Sequence, residues 1–194
     1  WPGGGAVTVL PSGPRSMLPE TCPRARALRY TAGMARWSVL VGAILIGACG
    51  GEDPADVAGS YAIALTNRDN GCSITNWTTG PVAGTVTLVV TQSGASASAD
   101  VQGLARVALD ALVGGHVFTG SVDGTGVDLT IVGTQAASQG ACAYTMDADL
   151  VGELAGDTLT GSVFYRARTN AAADCGALTG CQSQQDFAGA RPPR

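Results

Sequence analysis

The chain has a single histidine, His116, so one imidazole is all it offers for acid–base work near neutrality. His116 follows Gly114-Gly115 at the start of an apolar stretch and belongs to no recognisable catalytic pattern. No G-x-S-x-G elbow, Walker loop or H-E-x-x-H helix occurs anywhere. It therefore reads as a surface or hydrogen-bonded histidine rather than a proton shuttle. All eleven basic residues are arginine, which removes lysine Schiff-base chemistry. Asp123-Gly124-Thr125-Gly126-Val127-Asp128 carries carboxylates, but it lacks the spacing and closing glutamate of a calcium loop and reads instead as a hairpin turn. The expectation is a protein with no catalytic residue, no metal and no cofactor.

The other chemistry-bearing residues are six cysteines and one loop. An even set, Cys72, Cys142, Cys175 and Cys181, predicts two disulfides if the chain is exported. Four cysteines allow three pairings. The short Gly-Ala-Leu-Thr-Gly spacer between Cys175 and Cys181 favours joining those two, leaving Cys72 for Cys142. A zinc site lacks support, since no CxxC occurs and His116 lies far along the chain. The stretch from Asn67 to Trp77 is the most chemically varied, and it runs on to Pro81. It is long for a strand connection, and long loops often carry function. Trp77 either stacks on a sugar or lipid there or packs over the end of the fold.

Composition bounds these possibilities. The 194 residues are 45% hydrophobic and 13% charged, with 28 glycines and a net charge of −4, enough for one domain. Acidity with no lysine argues against nucleic acid as a partner, because phosphate contact needs a basic surface. Residues 1–33 are rich in Pro, Gly and Arg without apolar periodicity and read as a non-structural upstream extension. From Met34 the text changes: Met34-Ala35-Arg36 is a short basic region, and Trp37 to Ile46 is apolar but too short to span a bilayer core. Ile46-Gly47-Ala48-Cys49 follows and resembles the lipobox of bacterial lipoproteins. That resemblance implies a signal peptide over residues 34–48, cleavage before Cys49 and lipidation of Cys49, which anchors the chain to a membrane of the bacterial cell envelope. Gly50 beside the cysteine, rather than aspartate, points to the outer membrane. Residues 49–194 carry fourteen acidic side chains against six arginines, a net of −8, so attachment rests on the anchor rather than on charge.

After a polar tether over residues 49–58, period-2 alternation dominates residues 59–194. Tyr61, Ile63 and Leu65 share one strand face, as do Val86, Leu88 and Val90. Ser96 to Val101 is a further strand, and His116–Val122 and Val127–Val132 flank the Asp123–Gly126 turn. Cys142, Tyr144, Met146, Ala148 and Leu150 line one face of the next strand; Leu159, Gly161, Val163, Tyr165 and Ala167 line another. An antiparallel register that joins those faces sets Asp147 and Asp149 against Arg166 and Arg168 outside. Gly152 to Asp157 is the predicted turn between them, and Ser183 to Phe187 is a last strand. Leu104, Val107, Ala108, Ala111 and Leu112 recur at helical spacing, giving one short helix.

About eight strands in hairpin succession predict an all-β fold, an antiparallel up-and-down β-barrel with one short helix. With Gly59-Ser60-Tyr61 opening the first strand and a disulfide, the pattern resembles lipocalin-like barrels, with Tyr61 standing where that family has tryptophan. The chain is also similar to small lipoproteins of high-GC, myxobacteria-like bacteria. The lipocalin resemblance implies a small apolar or lipid-like ligand, with Trp77 at the rim and Tyr61, Tyr144 and Tyr165 as ligand-binding residues. The same tyrosines would also fill a solid barrel that contacts an envelope protein, in the manner of a protease inhibitor, while Ala148, Gly161, Ala167 and Gly133 leave room inside. An eight-stranded barrel admits either.

Overall fold

A computed structural model describes residues 52–193; Cys22, Cys49, the upstream extension and the signal segment lie outside the described residues. The strands are β1 (Gly59–Asn70), β2 (Gly80–Pro81), β3 (Val86–Ser93), β4 (Ser96–Val101), β5 (Val117–Asp123), β6 (Gly126–Ile131), β7 (Ala137–Gln139), β8 (Cys142–Ala155), β9 (Thr158–Thr169) and β10 (Gln182–Ala190). One helix, α1 (Leu104–Leu112), connects β4 to β5. Eight strands follow one another in the order β1-β3-β4-β5-β6-β8-β9-β10, every neighbour antiparallel. β10 then pairs with β1 from Ala62↔Ala190 to Asn70↔Ser183, so the sheet closes and leaves no edge within the ring. The expected all-β up-and-down barrel with one short helix is what forms. The short strands β2 and β7, which the alternation did not reveal, pair with Thr66–Asn67 of β1 and Cys142–Tyr144 of β8.

The two ends differ because their connections differ. At one end β3–β4, β5–β6 and β8–β9 turn through two residues each, and the first of each pair is a glycine at positive φ: Gly94, Gly124 and Gly156. Glycine at that position suits the tight turn whose twist matches flanking strands. The Gly152–Asp157 link is thus shorter than its sequence suggests, since β8 runs on to Ala155. This end is sealed. Ala55 donates its N–H to the Gly124 carbonyl and Val57 is fully buried, so the segment read as a tether packs against the barrel from Ala55 onward. Tyr61 is fully buried above it and donates its hydroxyl to the Val57 carbonyl at 2.8 Å. Arg191 lies over the Tyr61 ring, pairs with Asp157 at 3.0 Å and donates to the carbonyls of Asp56 and Ala58. Val122, Leu129 and Leu159 fill the remaining space at this level.

At the other end the connections are long, and both disulfides sit there. Cys72 is bonded to Cys181 and Cys142 to Cys175, not the pairing favoured by spacing. The closing seam explains the difference. Register Asn70↔Ser183 carries Cys72, just past β1, to Cys181, just before β10. Register Tyr144↔Thr169 brings Cys142 near the short 3-10 turn Ala173–Leu178 that holds Cys175. On the outer face, Asp147 lies opposite Arg166, and the ion pairs are diagonal: Arg166 with Asp149, and Arg168 with Asp147 at 3.4 Å. With the arginines about half exposed, each contributes only a few tenths of a kcal/mol to about 1 kcal/mol.

Candidate functional site

Inward positions near the sealed end are filled, whereas those toward the open end line a cavity of about 980 Å³. Ile63, Leu88, Phe118, Leu150, Val163 and Phe187 form its floor, above the packed end. The volume falls in the range of ligand pockets in proteins. The two sequence alternatives, solid and hollow, therefore hold for different halves of the same barrel. Small residues did not create the space where they were expected to. The ring of Phe187 sits over the Gly152–Gly161 pair, and a Cβ built on Gly161 would meet both the Phe187 ring, at 2.8 Å, and the Val151 carbonyl.

Helix α1 and the loop bearing Trp77 border the cavity mouth. Ala105, Ala108 and Leu112 of α1 line it, and Leu109 is the helix's buried anchor. Val107 projects outward, 63% exposed, and Leu104, 89% exposed, stands at the rim of the mouth. The helix starts at Gly103, φ 71°, without a side-chain cap, and ends before Gly114. His116 fastens it from outside the cavity. Its Nδ1 lies 2.7 Å from Asp110 of α1 and its Nε2 lies 3.7 Å from Asp100 of β4. Both ring nitrogens thus face carboxylates, and the contact joins helix to barrel.

The Trp77 loop is held by a compact set of hydrogen bonds. Asn70 accepts from the Ile74 N–H and donates to the Ile74 carbonyl; Ser183 donates to Asn70 and accepts from the Cys72 N–H. Trp77 donates its indole N–H to the Arg68 carbonyl at 3.0 Å and packs edge-on against Tyr165, ring centroids 5.9 Å apart. Of the four residues assigned to ligand contact, Trp77, Tyr144 and Tyr165 line the cavity together. Tyr61 does not; it belongs to the sealed end. Burial raises both buried phenols above the usual range, with no charged group offsetting it at Tyr165 and Arg191 partly offsetting it at Tyr61.

Two polar lining residues matter that the sequence reading did not assign to ligand contact: Asn67, named there only as the start of the varied loop, and Gln185. The signal was present. The inward face Tyr61, Ile63, Leu65 turns polar at Asn67, and the alternation through Phe187 places Gln185 inward on β10. Among the described residues no charged side chain lines the cavity. Among the described residues no group of three or more His, Cys, Asp or Glu side chains gathers as a metal site, and no helix is long and apolar enough to cross a membrane. No protein-family model, curated protein or solved structure matches this chain.

Proposed function

We propose that the barrel is a binding module for a small apolar or lipid-like molecule, held at the bacterial cell envelope by a lipid on Cys49. The observation that carries the reading is the cavity of about 980 Å³ with an apolar floor and, among the described residues, no charged side chain in its lining. Such a space strips water from a hydrocarbon body at a gain of about 25 cal/mol per Å² of apolar surface covered, and it offers nothing to a buried charge. The reading is non-enzymatic, with His116 held between two carboxylates. The described chain begins at the sealed end, where Ala55 meets Gly124.

The test is titration of the full chain with the apolar dye N-phenylnaphthylamine, beside a Leu150→Trp variant that fills the floor. Saturable binding by the natural chain, lost in a folded variant, supports the reading; no binding by the natural chain defeats it. A second reading, an interaction lipoprotein that contacts an envelope protein, draws on Leu104 and Val107, which stand exposed on α1. Val107→Ser separates the two, since Val107 stands outside the cavity lining: it spares dye binding while abolishing any envelope crosslink made through this face.

A further inference from the structure

The cavity's polar wall has a direction, and the Thr78 carbonyl sets it. Asn67 places its side chain against that carbonyl, 2.9 Å away. A backbone carbonyl only accepts, so the Asn67 atom facing it is the amide nitrogen, and the Asn67 oxygen must point the other way. That oxygen lies 2.6 Å from the Gln185 side chain, which therefore presents its own nitrogen. The Gln185 oxygen is left facing the Tyr165 hydroxyl at 3.3 Å, so Tyr165 must donate. One fixed acceptor thus orients three side chains in series: Tyr165 to Gln185, Gln185 to Asn67, Asn67 to Thr78. The order is not reversible by an amide flip, because a flip at either residue sets acceptor against acceptor or donor against donor.

The consequence falls on Tyr165, whose only proton is committed to Gln185 and whose oxygen lone pairs remain. Tyr165 is 6% exposed and lines the cavity beside Trp77. Among the described residues no arginine or histidine lines this space to neutralise an anion. We propose that the site selects an uncharged, long-chain molecule carrying a hydroxyl, which donates to Tyr165 while its hydrocarbon tail lies on the Phe118, Leu150 and Phe187 floor. At the Tyr165 oxygen a carboxylate of the same length sets acceptor against acceptor, and it brings a charge to a lining with no cation among the described residues; the second amide protons of Asn67 and Gln185 are its only partners on this wall. An ester lacks the proton. Burial keeps the Tyr165 phenol protonated well above the usual range, so the wall stays neutral across ordinary pH. This selectivity rests on the binding-module reading and narrows its ligand class.

The experiment displaces N-phenylnaphthylamine from the full chain at pH 8 with 1-dodecanol, methyl dodecanoate and dodecanoate. The expected order is alcohol, then ester, then carboxylate, with the alcohol ahead of the ester by about fivefold, the ratio that one net hydrogen bond provides. Gln185→Leu frees the Tyr165 proton to donate, so the ester gains on the alcohol and their ratio falls to near one or inverts. A merely structural role for Gln185 would weaken all three alike. Dye bound and displaced with carboxylate or ester level with the alcohol overturns the selectivity and leaves the cavity reading standing. Dye not bound at all overturns both.

Discussion

Removing the Cys72–Cys181 bridge should cost the protein more than removing Cys142–Cys175. The two span 109 and 33 residues. In the chain-entropy account a bridge restricts the unfolded chain in proportion to the logarithm of the loop it closes, which gives about 5 kcal/mol for the first and about 4 kcal/mol for the second. The pairing favoured by spacing contains a loop of only six residues and would give about 2 kcal/mol for that bridge. Cys72–Cys181 also pins the start of the Trp77 loop across the closing seam. At a urea slope of about 2 kcal/mol per molar, Cys72→Ser with Cys181→Ser should lower the midpoint by about 2.5 M, and Cys142→Ser with Cys175→Ser by about 2 M. A non-reduced tryptic map checks the premise first. Cleavage after Arg68, Arg106, Arg166 and Arg168 puts Cys72, Cys142 and the Cys175/Cys181 pair on separate peptides. The observed pairing joins all three into one assembly, whereas the spacing-favoured pairing releases residues 169–194 alone. Release of that peptide, or a smaller loss from the 109-residue bridge than from the other, would refute the reasoning.

Other outcomes follow from particular contacts. Gly161→Ala should destabilise by about 1–3 kcal/mol, because its methyl would collide with the Val151 carbonyl and the Phe187 ring; an unchanged urea midpoint would contradict the packing. His116→Ala removes the contacts to Asp110 and Asp100, and at their partial exposure the loss is about 0.5–1 kcal/mol, read as roughly two- to fivefold faster amide exchange in α1 with the strands unaffected. Asp186 is held below the usual carboxylate range by hydrogen bonds from Gln184, Ser162 and Arg68. The unfolded chain then binds a proton before the folded one does, so this contribution is present above about pH 4 and fades as pH falls further; Asp186→Asn should flatten the acid limb of stability against pH. Tyr165 and Tyr61 are shifted the opposite way. The unfolded phenols lose their protons first, so stability declines as pH rises past about 10, and Tyr165→Phe should reduce that decline.

Much of the barrel was legible because strand alternation is local. Ser96–Val101 reads as a strand from its own residues, α1 from the spacing of Leu104 to Leu112, and the Asp123–Gly126 turn from its glycines. The diagonal pairs of Asp147 and Asp149 with Arg168 and Arg166 follow once two adjacent strands are put in register. What escaped is whatever depends on the seam between the first strand and the last. That seam decides the disulfides, since Cys72 and Cys181 are far apart in sequence and adjacent only when β10 meets β1. It also assembles the polar wall, with Asn67 on β1 and Gln185 on β10. Tyr61 was misplaced for a related reason. Alternation shows that it points inward but not at which height, and only the burial of Val57 beneath it fixes it at the sealed end. The hollow itself arises from long connections at one end and two-residue turns with a packed N-terminal segment at the other, a contrast that inward small residues do not report.

The most direct test of the account is native mass spectrometry of the full chain, exported to a bacterial envelope and purified without competing detergent. The account predicts an added mass that is lost on denaturation, displaced by N-phenylnaphthylamine, and absent from Leu150→Trp. A bare mass from a folded, disulfide-bonded protein that also fails to bind the dye would contradict it.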